Sequence, residues 1–133
     1  MKEEDGNRDY DLQNRMIDFA VRVINVVEAL PNTRAGNHVA GQLLRSGTSP
    51  APNYAEAQAA ESRKDFIHKM SICLKELRES ERALLLINKV PLLDDTEPTN
   101  QLLSETDELI RIFASSIRTA HSNKAREDSS DYA

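Results

Sequence analysis

Four stretches of the chain repeat apolar residues at helical spacing, separated by polar or proline-containing segments. The first reads Leu12, Met16, Phe19 or Ala20, Val23, Val27 and Leu30, one face of an α-helix. Its start is expected at Asp9 or Asp11, either of which can cap it. Ile17, Val21 and Ile24 form a second stripe beside the first. A helix that is apolar around more than half its girth needs two partners. A bundle core supplies one, and a neighbouring subunit is expected as the other. Pro31 ends the helix, because the residue before a proline is pushed out of the α region.

The second stretch begins near Thr33 or Arg34 and carries Val39, Ala40, Leu43 and Leu44. Ser46-Gly-Thr-Ser-Pro-Ala-Pro52 then interrupts it. A proline inside a helix deletes a backbone bond and clashes with the carbonyl four residues back, at about 3 kcal/mol or more. The cost is small if Ser49 caps a new helix with Pro50 first and Pro52 third, where amides have no intrahelical partner. The sequence therefore predicts a second helix kinked or broken near 46–50. The backbone should leave α geometry between Ser46 and Ser49, and a half-helix should follow over about 50–61.

Ser62-Arg-Lys-Asp65 reads as a capping-box variant. The third stripe follows it: Phe66, Met70, Cys73, Leu77 and Leu84, flanked by Ile67 and Leu74. Val90-Pro91 closes it, and the loop Leu92 to Thr96 begins apolar and should tuck against the bundle end. The fourth helix opens near Thr96 to Thr99. Its stripe is Leu102, Leu109, Phe113 and Ile117, with Leu103, Ile110 and Ile112 beside it. Short connections imply antiparallel neighbours. The fold class is thus all-α, an antiparallel up-and-down four-helix bundle over residues 10–120. Residues 1–9 read as a flexible arm and 121–133 as a disordered tail.

Composition narrows this reading. A chain of 133 residues is one domain, and with three Phe, three Tyr and no Trp its core must be aliphatic. Cys73 is the single cysteine, so no intramolecular disulfide can form. It reads as a small buried hydrophobe and suits a reducing compartment. No secretory apolar segment and no membrane-length apolar run occur, so a cytoplasmic protein without membrane contact is expected. The net charge of −5 is unevenly spread. Lys2 and Arg8 face Glu3, Glu4, Asp5, Asp9 and Asp11 near the start, while the centre is close to neutral. Cations concentrate at Arg63, Lys64, Lys69, Lys75, Arg78 and Arg82, with Glu61, Asp65, Glu76, Glu79 and Glu81 between them. This reads as a solvated face with pairs such as Lys75–Glu79, not as the basic footprint of a nucleic-acid binder.

Tests for chemistry return little. A di-iron bundle needs Glu-x-x-His on two helices, but Ala35, Asp65 and Arg118 precede His38, His68 and His121 by three residues. Ser46, Thr48 and Ser49 lack a nearby histidine and a nucleophile-elbow spacing. Phosphate-binding glycine loops are missing. No catalytic residue, cofactor or metal ligand is assigned. The unusual residues are Arg45, Asn53 and Glu56, with Tyr54 between the last two. Buried polar groups must be paired, so these read as a hydrogen-bond network fixing helix register or a subunit contact. A ligand or RNA contact is the alternative.

Gln42-Leu-Leu-Arg-Ser-Gly-Thr-Ser49, Asn53-Tyr54, Glu56-Ala57, Glu61-Ser62, Asp65-Phe-Ile-His-Lys-Met70 and Leu74-Lys-Glu-Leu-Arg-Glu79 together carry a resemblance. Over about residues 11–120 the chain resembles the small bacterial four helix bundle family whose founders are encoded in intervening sequences of 23S ribosomal RNA genes. Pro50 and Pro52 depart from its pattern. The resemblance implies a four-helix protomer in a ring-like homopentamer, with no catalytic residues to carry over. One branch is the accessory protein of diversity-generating retroelements, which binds nucleic acid and a reverse transcriptase. That branch is strongly basic and this chain is not. The expected function is a non-enzymatic bacterial scaffold or adaptor with no cofactor. An RNA-binding accessory protein using Arg63, Lys64, Lys69, Lys75 and Arg78, with an RNA or protein partner, is one alternative. An enzyme with an unrecognised site is another.

Overall fold

The computed structural model describes the backbone of residues 2–131 and the side chains of residues 11–123. Five helical segments follow one another: α1 (Lys2–Ala29), α2 (Arg34–Thr48), α3 (Pro50–Gln58), α4 (Arg63–Lys89) and α5 (Glu97–Asp131). One residue separates α2 from α3, so the chain forms four helical columns, with no strand among the described residues. The expected arm at 1–9 and most of the expected tail lie outside the described side chains. Asp11 falls inside α1 and does not cap it.

Local chemistry sets the helix starts. Thr33 caps α2, its hydroxyl accepting from the Gly36 amide at 3.0 Å. The turn before it is so tight that a Cβ on Gly36 would lie 2.0 Å from the Pro31 carbonyl oxygen. Ser62 caps α4 as its spacing predicts, accepting from the Asp65 amide at 3.0 Å. Asp95 Oδ1 accepts from the Glu97 amide at the start of α5. Leu92 and Leu93 pack partly buried against the core, closing one bundle end.

Pro50 opens α3 as expected, but the geometry of Ser49 before it differs from its expectation. Ser49 sits in the α region at φ −74° and ψ −31°, and its hydroxyl makes no cap bond. It donates instead to the Arg45 carbonyl at 2.6 Å, and Thr48 does the same to Leu44. The ladder continues on both sides, from the Ser49 amide to Arg45 and from the Asn53 amide to Ser49. Two missing proline donors interrupt the bonding without forcing this residue out of α geometry. The backward hydroxyl bonds supply a local alternative.

The core draws on every column. Met16, Phe19 and Val23 from α1 meet Leu43 from α2, Met70, Cys73, Leu77 and Leu84 from α4, and Leu102, Leu109 and Phe113 from α5, all fully buried. Tyr54 lies among them, 2% exposed, edge-on to Phe113 with ring centroids 5.7 Å apart. Small residues let α2 approach its neighbours. Ser46 Oγ lies 2.9 Å from Ser80 Oγ on α4. A Cβ on Gly47 would meet Val23 of α1 at 2.6 Å. Between α1 and α5, Arg15 forks onto Glu105, with Nη2 to Oε1 at 2.6 Å, and also reaches Glu108 at 3.1 Å.

Two glycines of one helix should respond oppositely to alanine. Gly47→Ala drives a methyl into the stiff, buried Val23 and should cost about 1–3 kcal/mol. Gly41 has nothing within 4 Å of a built Cβ. Gly41→Ala should therefore stabilise by about 0.5–1 kcal/mol through helix propensity. Urea unfolding of the two variants measures both.

Candidate functional site

The polar residues singled out by the sequence lie along the seam between α2–α3 and α4. Asn53 Nδ2 donates to Glu76 Oε1 at 2.9 Å. Burial pushes the Glu76 carboxyl above its ordinary value, against the opposing effect of its bond to Asn53 and of the nearby Ser49 hydroxyl; Glu79 nearby adds to the rise. Glu56 instead accepts from Lys69 Nζ at 2.9 Å on the exposed side of the seam. That bond raises the Lys69 ammonium above its usual value.

Arg45 does not join these residues. It is exposed and lines a groove of about 360 Å³ with Gln42, Ser46, Glu79, Arg82, Ala83 and Leu86. Eight residues along a helical column rotate Asn53 by about 80° from Arg45, which turns the two onto different sides. The expected single network is therefore two separate bonds, Asn53–Glu76 and Glu56–Lys69, with Arg45 on another rim. Tyr54 serves the core.

The five cations expected at a partner surface also divide. Arg63 lines a shallow groove with Glu61, Phe66, Ser116 and Thr119. Lys69 is tied to Glu56. Lys64, Lys75 and Arg78 are exposed on α4. The expected Lys75–Glu79 pair is not among the ion pairs of the described residues. Lys75 acts on Glu76, favouring its charge.

No group of three or more His, Cys, Asp or Glu among the described residues could hold a metal ion. His38, His68 and His121 are exposed and scattered. Cys73 is buried beside the Pro50 carbonyl, 3.7 Å from its Sγ, and burial pushes the thiol up to about 12. A thiol held that high is not a nucleophile at neutral pH. Sequence reasoning left two features unidentified, the Glu76 carboxylate as partner of Asn53 and the Arg15–Glu105 fork. The carboxylate's signal is its helical position, since Glu76 stands three residues from Cys73 and one from Leu77, beside the buried face.

Comparison with known proteins agrees on kind. The sequence pattern of the 23S rRNA-intervening sequence protein family matches residues 8–115. A crystal structure of a protein of unknown function from the S23 ribosomal protein family of Bacteroides thetaiotaomicron is similar in fold, with a TM-score of 0.74 and 34% identity. The match covers 83% of this chain and 97% of that one. No curated protein matches the sequence. No helix among the described residues is long and apolar enough to cross a membrane.

The seam makes two measurable statements. Asn53→Ala leaves the Glu76 carboxylate short of a donor and should cost about 1–3 kcal/mol in denaturant unfolding. Glu76 binds its proton more readily folded than unfolded, so its charge opposes folding above the folded value and ceases to as pH falls through it. Glu76→Gln keeps an acceptor for Asn53 and removes that charge. It should melt higher than the parent at pH 7, with the margin closing as pH falls to the ordinary carboxylate range near about 4.

Proposed function

Because the chain belongs to the 23S rRNA-intervening sequence protein family, we propose that it works as a non-enzymatic, self-associating helical scaffold or adaptor. The observation that carries this reading is an apolar stripe left in water. Ile17, Val21 and Ile24 on α1 are 47%, 51% and 41% exposed. Leu44 on α2, one helical turn from Gly47 where the two helices touch, is 40% exposed. Scattered exposed apolar residues are ordinary, but a contiguous stripe marks an interaction site.

The protomer is read as an antiparallel up-and-down bundle in which α2 and α3 form one bent column. Residue pairs whose numbers run in opposite directions support it: Ser46 with Ser80 and Glu56 with Lys69, Val23 with Gly47 and Gln13 with Ala51. The assembly is read as a homopentamer in the cytoplasm. An RNA-binding accessory role would draw on the exposed cations of α4, whose occupant is argued below.

Light scattering at micromolar concentration tests the reading. The parent should give about five times the protomer mass of 14.9 kDa. Ile24→Glu should give monomers with unchanged helical circular dichroism, since this side chain lies outside the core. A monomeric parent would sink the proposal.

A further inference from the structure

An acidic balance conceals a strongly basic face. The segment α2 contains no acidic residue, and its Arg34 and Arg45 are both exposed. On α4 every exposed charged side chain is cationic: Lys64, Lys75, Arg78, Arg82 and Lys89. The four carboxylates of α4 are all partly buried, and of them Glu79 reaches the groove beside Arg82. The two helices share the groove in which Arg45 and Arg82 flank Ala83 and Leu86. Leu86 is 49% exposed, and Leu85 and Val90 beside it are 44% and 56% exposed.

The face of α1 that carries the apolar stripe has the opposite charge. The exposed charged residues described on α1 are Asp11, Asp18 and Glu28, while Arg15 and Arg22 are partly buried. Asp18 and Glu28 bracket Val21 and Ile24 along the helix. α1 therefore presents an acidic amphipathic surface, with Ile17, Val21 and Ile24 at i, i+4 and i+7. That is the pattern by which a helix lies in an apolar groove.

We propose that α1 of one copy docks on the α2–α4 groove of the next, its apolar stripe against Leu86 and its neighbours, and Asp18 and Glu28 toward Arg45 and Arg82. Two different surfaces of the protomer then meet head to tail, the kind of contact that closes rings. This rests on the self-association reading and names the surfaces that perform it. Leu86 exposed in the groove, with Leu85 and Val90 exposed near it in the chain, argues for this occupant over a nucleic acid. No Phe, Tyr or Trp is exposed on α2 or α4 to stack bases. Glu79 in the groove opposes a continuous run of phosphates, and Leu85 and Leu86 would gain nothing from a phosphate backbone.

Charge reversal in the full chain tests the pairing. Arg45→Glu with Arg82→Glu should lower the association constant at least tenfold, and Asp18→Arg with Glu28→Arg should do the same. All four reversals in one chain should restore assembly to within about threefold of the parent, because like charges across the interface are replaced by opposite ones. Leu86→Ser should also weaken assembly, with helical content unchanged. Assembly unaffected by Arg45→Glu and Arg82→Glu would overturn the pairing while leaving self-association intact. So would a four-fold variant that stays dissociated though folded. So would loss of retention on a single-stranded RNA column in Arg45→Glu and Arg82→Glu with assembly unchanged, which would assign the groove to nucleic acid. A monomeric parent would refute the self-association reading first, before any variant is compared.

Discussion

Everything in this bundle depends on how closely α2 lies against its two neighbours. At adjacent positions, Ser46 meets Ser80 of α4 and Gly47 meets Val23 of α1. Side chains one carbon larger would separate the columns at both contacts. That spacing sets where Tyr54 reaches Phe113 and how far Asn53 stands from Glu76. The Ser46–Ser80 contact places two hydroxyls in the interior, and each finds an oxygen partner, so no buried side-chain polar atom among the described residues lacks one. The run Arg45-Ser-Gly-Thr-Ser49 is thus first a packing device, and only its arginine is left over for the surface.

The helices and their core faces were legible because apolar residues recur at helical spacing through four long stretches. Met16, Phe19, Val23, Met70, Cys73, Leu77, Leu84, Leu102, Leu109 and Phe113 all proved buried. The Ser62 cap was legible for the same local reason, an oxygen three residues before an orphan amide. The junction at Ser49 was not. Proline penalties were weighed locally, whereas hydroxyls at Thr48 and Ser49 and the bonds on either side hold the backbone helical. The polar seam was legible in its members and not in its pairings. Asn53, Glu56 and Arg45 stand out in the sequence, but Glu76 and Lys69 are separated from their partners by a loop and part of two helices.

Charge was the least legible property. In the sequence of α4, acids and bases alternate, which suggests mutual neutralisation. Helical rotation separates them instead. Glu76 turns toward Asn53 and Glu79 is partly buried, while Lys75, Arg78 and Arg82 remain exposed. Net charge averages over faces that no partner meets at once. A molecule at −5 can therefore offer one surface that attracts anions and another that repels them.

Cys73 gives the seam an internal clock. Its sulfur is enclosed between Pro50 and the core, and it has no accessible thiolate while α3 rests on α4. An alkylating reagent can reach it only when those helices part or the whole chain opens. Its rate of modification therefore counts openings, and comparing that rate with global unfolding separates seam fluctuations from complete loss of structure. Because Cys73 is the single thiol of the chain, the count needs no engineered probe.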